Sequence, residues 1–92
     1  MKLVFYASLL FSTSAFAVSD QEIIKACWNL GVERMHDLAQ ELNCSLGPIR
    51  VENVRNHFWS STKYLYLMSP SACADGYYTV RIRSTYKDGE CS

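Results

Sequence analysis

The chain has 92 residues, 20% of them charged, and its basic and acidic side chains balance to zero net charge. That length allows one small domain. The balance argues against general nucleic-acid binding, which needs a basic footprint.

The first 17 residues read as a secretory signal peptide. Met1 and Lys2 give a short positive start, Leu3 to Phe11 carries no charge, and Ala15-Phe16-Ala17 is a small-x-small cleavage site. The uncharged run is too short, and too weakly apolar at its end, for a good membrane span, so no transmembrane segment is expected. The residue directly after the expected cut at Ala17 is Val18 and not cysteine, which argues against a lipid anchor. The mature chain, residues 18–92, is expected to be periplasmic or secreted. It is small enough that its core alone is marginal. Its four cysteines, Cys27, Cys44, Cys73 and Cys91, read as two disulfides formed after export.

Ser19-Asp20-Gln21-Glu22 matches a capping box, with Ser19 as N-cap and Glu22 reaching back. Apolar or small residues then recur at Ile24, Trp28, Gly31, Met35, Leu38 and Leu42, one stripe of an amphipathic helix widened by Ile23 and Cys27. Gly31 interrupts a helical run at a cost of about 1 kcal/mol against alanine. The stripe continues through it, so one helix is expected, with the glycine admitting a large side chain from the sheet, such as a tyrosine. Asn43, Gly47 and Pro48 supply stop signals.

Three strands follow. Ile49 to Trp59 changes phase between Val51 and Val54, which predicts a bulge near Asn53. Lys63 to Met68 alternates Tyr64, Tyr66 and Met68 against Leu65 and Leu67, with Ser60-Ser61 as the preceding tight connection. Ser69-Pro70-Ser71 through Asp75-Gly76 reads as a turn-rich link. Gly76 to Tyr86 is the clearest strand: Tyr78, Val80, Ile82 and Tyr86 share one face, and Tyr77, Thr79, Arg81, Arg83 and Thr85 the other. The tail from Lys87 to Glu90 shows no periodicity. The expected architecture is an α+β domain with one N-terminal helix packed on a three-stranded antiparallel sheet.

Geometry selects among the three pairings that four cysteines allow. Bridged Cα atoms lie within about 7 Å. Along a continuous helix Cys27 and Cys44 stand roughly 26 Å apart. Cys73 and Cys91 flank the long last strand, so neither of these two pairs is favoured. In a meander the helix end lies beside the link before the last strand, and the helix start lies beside the tail. Cys44–Cys73 and Cys27–Cys91 follow, both tying the helix to the sheet.

Catalytic signals are thin. A Cys/His pair from Cys27 or Cys44 with His36 or His57 needs free thiols, which the disulfide reading removes. His36 points outward on the helix by phase, and His57 sits among aromatic neighbours near a strand end. There is no Cys-x-x-Cys, no His-x-x-x-His and no glycine-rich phosphate loop, so no metal, cofactor or enzymatic activity is expected. Asn43-Cys44-Ser45 formally fits a glycosylation acceptor, which means nothing if Cys44 is bridged and the host is bacterial. Glu33, Asp37 and Glu41 step by four along the helix and form an acidic edge, most simply a solvated one.

The sheet's outer face carries the candidate binding residues. With Leu65 and Leu67 turned to the helix, Tyr64 and Tyr66 join Tyr77, Thr79, Arg81 and Arg83 there, and Arg50 and Glu52 extend the set. Tyrosine and arginine are enriched in interfaces. The same side chains also suit an ordinary outer face that pairs across strands. The sequence therefore predicts a non-enzymatic exported protein that binds another protein or an anionic glycan. An inhibitor or immunity protein is the expected role, a secreted effector or toxin the alternative, and a small hydrolase comes third.

Overall fold

The computed structural model describes residues 18–56 and 61–92. The expected leader, and His57, Phe58, Trp59 and Ser60 at the end of the first strand and its connection, lie outside the described residues. Helix α1 spans Asp20–Leu42, followed by strands β1 (Cys44–Leu46), β2 (Arg50–Asn56), β3 (Lys63–Cys73), β4 (Gly76–Lys87) and β5 (Glu90–Cys91). All pairings are antiparallel. β3 sits at the centre, with β1 and β2 in tandem along one side and β4, then β5, on the other. The architecture is thus one helix on an antiparallel sheet three rows wide over most of its length. The first row is broken in two and a short fifth strand is added.

The helix starts where the capping signal places it. Ser19 Oγ accepts from the Glu22 amide at 3.3 Å. The reciprocal half of the box, from the Glu22 carboxylate, is not formed among the described residues. Asn43 ends the helix in the left-handed region (φ 54°, ψ 49°), and its amide bonds back to Ala39 and Gln40 carbonyls. Asparagine tolerates that conformation better than most residues.

The buried row of the helix is Ile23, Cys27, Gly31, Met35 and Ala39. This lies to one side of the expected stripe: Ile24, Trp28 and Leu38 flank it, and Leu42 is 53% exposed. Two fixed points set the rotation. Cys27 is bonded to Cys91. At Gly31 an added Cβ would lie 2.6 Å from Leu67 Cδ1 and 3.3 Å from Ile82 Cδ1. The glycine therefore does admit sheet side chains, but they are an aliphatic pair rather than a tyrosine. Ile23, Cys27 and Met35 meet Leu65 and Leu67 of β3 and Val80 of β4 to make the core.

Pro70 lies inside β3, so the segment from Ser69 to Cys73 is strand and not the expected turn-rich link. The ladder explains why. A residue in an antiparallel pair turns its N–H and C=O to the same neighbour. The Pro70 carbonyl accepts from the Gly47 amide at 2.8 Å, so its missing N–H faces the gap between β1 and β2. No ladder donor is lost, which is where proline is tolerated in a sheet. Gly47 and Pro48 therefore break the first row of the sheet; they do not end the helix.

The tail is structured too. Asp88 (φ 52°) and Gly89 (φ 80°) form a two-residue turn between Lys87 and Glu90. Positive φ at both positions suits Asp-Gly in a tight hairpin. The turn carries Cys91 back beneath the start of the helix, where it bonds to Cys27 with a Cα separation of 5.4 Å. Cys44 bonds to Cys73, its direct register partner across β1 and β3. That second bridge clamps the strand leaving the helix rather than the helix itself. Two disulfides in so small a domain are consistent with an oxidising compartment. No helix among the described residues is long and apolar enough to cross a membrane.

Candidate binding face

The face of the sheet opposite the helix is built by strict alternation. On β3, Leu65, Leu67, Ser69 and Ser71 are buried, while Tyr64, Tyr66, Met68 and Pro70 stand on the other side. On β4, Val80 and Ser84 are buried beneath the helix, and Thr79, Arg81 and Arg83 are exposed. The register sets Tyr66 opposite Arg83 and Met68 opposite Arg81.

The expected bulge in β2 falls between Val51 and Asn53. The extra residue changes which side chains share a face. Arg50 stands opposite Met68, and Arg55 stands opposite Tyr64, so both join the outer face. Glu52, in the bulge, reaches across β3 and accepts from Arg81 Nε at 2.8 Å. Arg55 is the binding-face residue not singled out from sequence. The phase shift at Asn53 carries the signal, since a bulge there moves Arg55 onto the same side as Arg50.

The cations interleave with the rings. The Arg83 guanidinium lies 4.9 Å from the centroid of Tyr64, and Arg55 lies 5.7 Å from that of Tyr66. Each reaches the diagonal ring rather than the one directly opposite it, a contact that cross-strand geometry allows to long side chains. The two rings lie 6.5 Å apart at 55°. Exposed contacts of this kind contribute about 0.5–1 kcal/mol each, and the exposed ion pair contributes less than about 1 kcal/mol. The result, among the described residues, is a surface of four arginines, two tyrosines and one methionine, with Glu52 as its one carboxylate.

The candidate residues thus fall into two groups. Tyr64, Tyr66, Arg81 and Arg83 come together in the cluster. Tyr77 shares their face but stands apart near the β3–β4 turn, opposite Ala72 and 88% exposed. It borders an open hollow of about 600 Å3 lined by Gly47, Pro70, Ala72 and Thr79 among others. Glu33, Asp37 and Glu41 lie exposed on the helix, remote from this face, and His36 is exposed there as well. Cys27 and Cys44 are both consumed in disulfides, and the described residues hold no free thiol. No group of histidine, cysteine and carboxylate side chains suited to a metal ion occurs among the described residues.

The chain matches no protein-family model, and no curated protein or solved structure is significantly similar to it. Any functional reading therefore rests on the geometry of this chain alone.

Proposed function

We propose that the protein is exported, loses its leader after Ala17, and acts by binding an acidic protein surface through the arginine–tyrosine face. The role that suits this reading is inhibition or neutralisation of an envelope or secreted partner. One observation carries it. A chain with no net charge gathers four arginines, two tyrosines and one carboxylate on the sheet face that the helix leaves open. Core packing does not require them: the buried core of the described residues lies on the other face. Arginine and tyrosine are the side chains that most often dominate binding energy when desolvated by a partner.

The test is a combined Tyr66→Ser, Arg81→Ala, Arg83→Ala variant. A partner is first captured on the wild-type protein from envelope extract, identified by mass spectrometry, and purified. The variant is expected to keep its fold and to bind that partner at least ~100-fold more weakly, as loss of two or more dominant contacts implies. Undiminished binding by a folded variant rules the face out. An anionic glycan is the competing ligand, and displacement of the protein partner by a sulfated polysaccharide but not by a neutral one identifies it.

A further inference from the structure

β4 is an outer strand over most of its length. Tyr86 and Lys87 pair with β5, and Thr85 exchanges both backbone bonds with Ser92, at 2.9 and 2.8 Å. Those bonds set the phase of the strand. Residues two apart turn their N–H and C=O to the same side, so Arg83, Arg81, Thr79 and Tyr77 turn theirs the way Thr85 does. Among the described residues no strand pairs with β4 there. The edge has neither the proline nor the bulge that usually blocks strand addition, and its register with β3 is unbroken from Gly76 to Tyr86.

Two further features flank this edge. On its helix side lies a groove of about 420 Å3. Leu38 and Leu42 of α1, the Cys44–Cys73 bridge, Tyr78 and Val80 line it, with Asp75 as the carboxylate in its wall, and it reaches Thr79 and Arg81 on the edge itself. On its other side stand the exposed side chains of Arg81 and Arg83. Arg81 uses Nε on Glu52, one of the five N–H donors of a guanidinium. A strand laid against the edge alternates its side chains between these two environments. One parity enters the mostly apolar groove, whose Asp75 disfavours an acidic side chain there, and the other meets the arginines.

We infer that the β4 edge from Tyr77 to Arg83 takes up an extended peptide segment as an added strand, with apolar residues on one parity and acidic residues on the other. Main-chain bonds give such a complex its affinity, and alternate side chains give its specificity. The inference deepens the proposed function and rests on it where Arg81 and Arg83 select the acidic partner; the backbone edge and the groove are separate from the tyrosine cluster. A second copy of the chain is the poorer occupant. Pairing β4 with β4 over this stretch gathers arginines from both copies on one face, and the one carboxylate each copy brings there, Glu52, is already engaged by its own Arg81.

The experiment uses the disulfide-bonded protein and a blocked seven-residue peptide that alternates valine and glutamate, followed by amide chemical shifts. The peptide is expected to perturb the amides of Tyr77, Thr79, Arg81 and Arg83 most. A lysine-for-glutamate peptide is expected to bind about tenfold more weakly or worse. Thr79→Pro removes one edge donor without touching the β3 ladder and is expected to weaken binding by about tenfold or more. A peptide N-methylated on its β4-facing amides gives the same loss without altering the protein. No binding at millimolar peptide, shifts that map elsewhere, or equal binding by the N-methylated peptide overturns the inference. A dimer in sedimentation that Thr79→Pro dissolves also overturns it and assigns the edge to a second copy. Against the captured partner, full affinity of Thr79→Pro with lost affinity of the face variant removes the edge and leaves the face standing. The converse result removes the face.

Discussion

The two faces of the β3–β4 pair differ by a single residue step along the same strands. Leu65, Leu67, Val80 and Ser84 are sealed beneath the helix, while on the other side Tyr64 and Tyr66 are half-buried and Arg81 and Arg83 are exposed. Stability is concentrated on the first face and at the two disulfides. The second holds side chains whose mutual contacts are weak and exposed. The period-two alternation of strands allows one short sheet to carry both tasks. A substitution on one parity should therefore act on folding, and its neighbour on binding.

The largest effect tests the sealed side at its fastenings. Replacing Cys27 and Cys91 by serine opens a loop closed over 64 residues of separation, and replacing Cys44 and Cys73 opens one of 29. The chain-entropy account gives losses of ~4 and ~3.5 kcal/mol respectively, enough to unfold a small domain at 37 °C. Urea denaturation of the two pairs checks the size and the order. Next is Gly31→Val. Its Cβ would stand 2.6 Å from Leu67 Cδ1, and the branched side chain has no room to turn away. Overpacking of this kind is expected to destabilise by about 2 kcal/mol, read from the denaturation midpoint.

A smaller effect has the opposite sign. Ser84 is fully buried and its hydroxyl has no hydrogen-bond partner among the described residues. Ser84→Ala removes an unsatisfied polar atom and is expected to stabilise by about 1 kcal/mol, seen as a higher melting temperature. A lower one means that the hydroxyl contributes to the sealed side. The smallest effect belongs to the open side. Arg83→Ala loses one exposed cation–ring contact with Tyr64, so unfolding should change by only ~0.5 kcal/mol. A loss several times larger would blur the distinction between the faces.

Much of this division is legible in the amino-acid sequence. The alternation in Gly76 to Tyr86 separates Arg81 and Arg83 from Val80 and Ile82. Helix length and strand direction together select Cys27–Cys91 and Cys44–Cys73. What stays hidden depends on partners distant in the chain. Pro70 reads as a strand breaker until the gap at Gly47 and Pro48 is seen beside it. The rotation of the helix depends on how closely Leu67 and Ile82 approach Gly31, which no helical period reports. The Asp88-Gly89 hairpin escapes a periodicity reading for a different reason. Its flanking strands are too short to alternate, although the dipeptide itself is a strong hairpin signal. Arg55 lies one inference further along the phase shift at Asn53.

The most direct measurement takes the Tyr66→Ser, Arg81→Ala, Arg83→Ala variant and records two numbers on one sample: its unfolding free energy and its Kd for the partner captured on the wild-type protein. The account predicts unfolding within about 1.5 kcal/mol of wild type, as weak exposed contacts imply, together with a Kd raised at least ~100-fold. A variant that loses several kcal/mol of stability yet binds as tightly as the parent contradicts it, because the open face would then hold the fold together and leave recognition to some other surface.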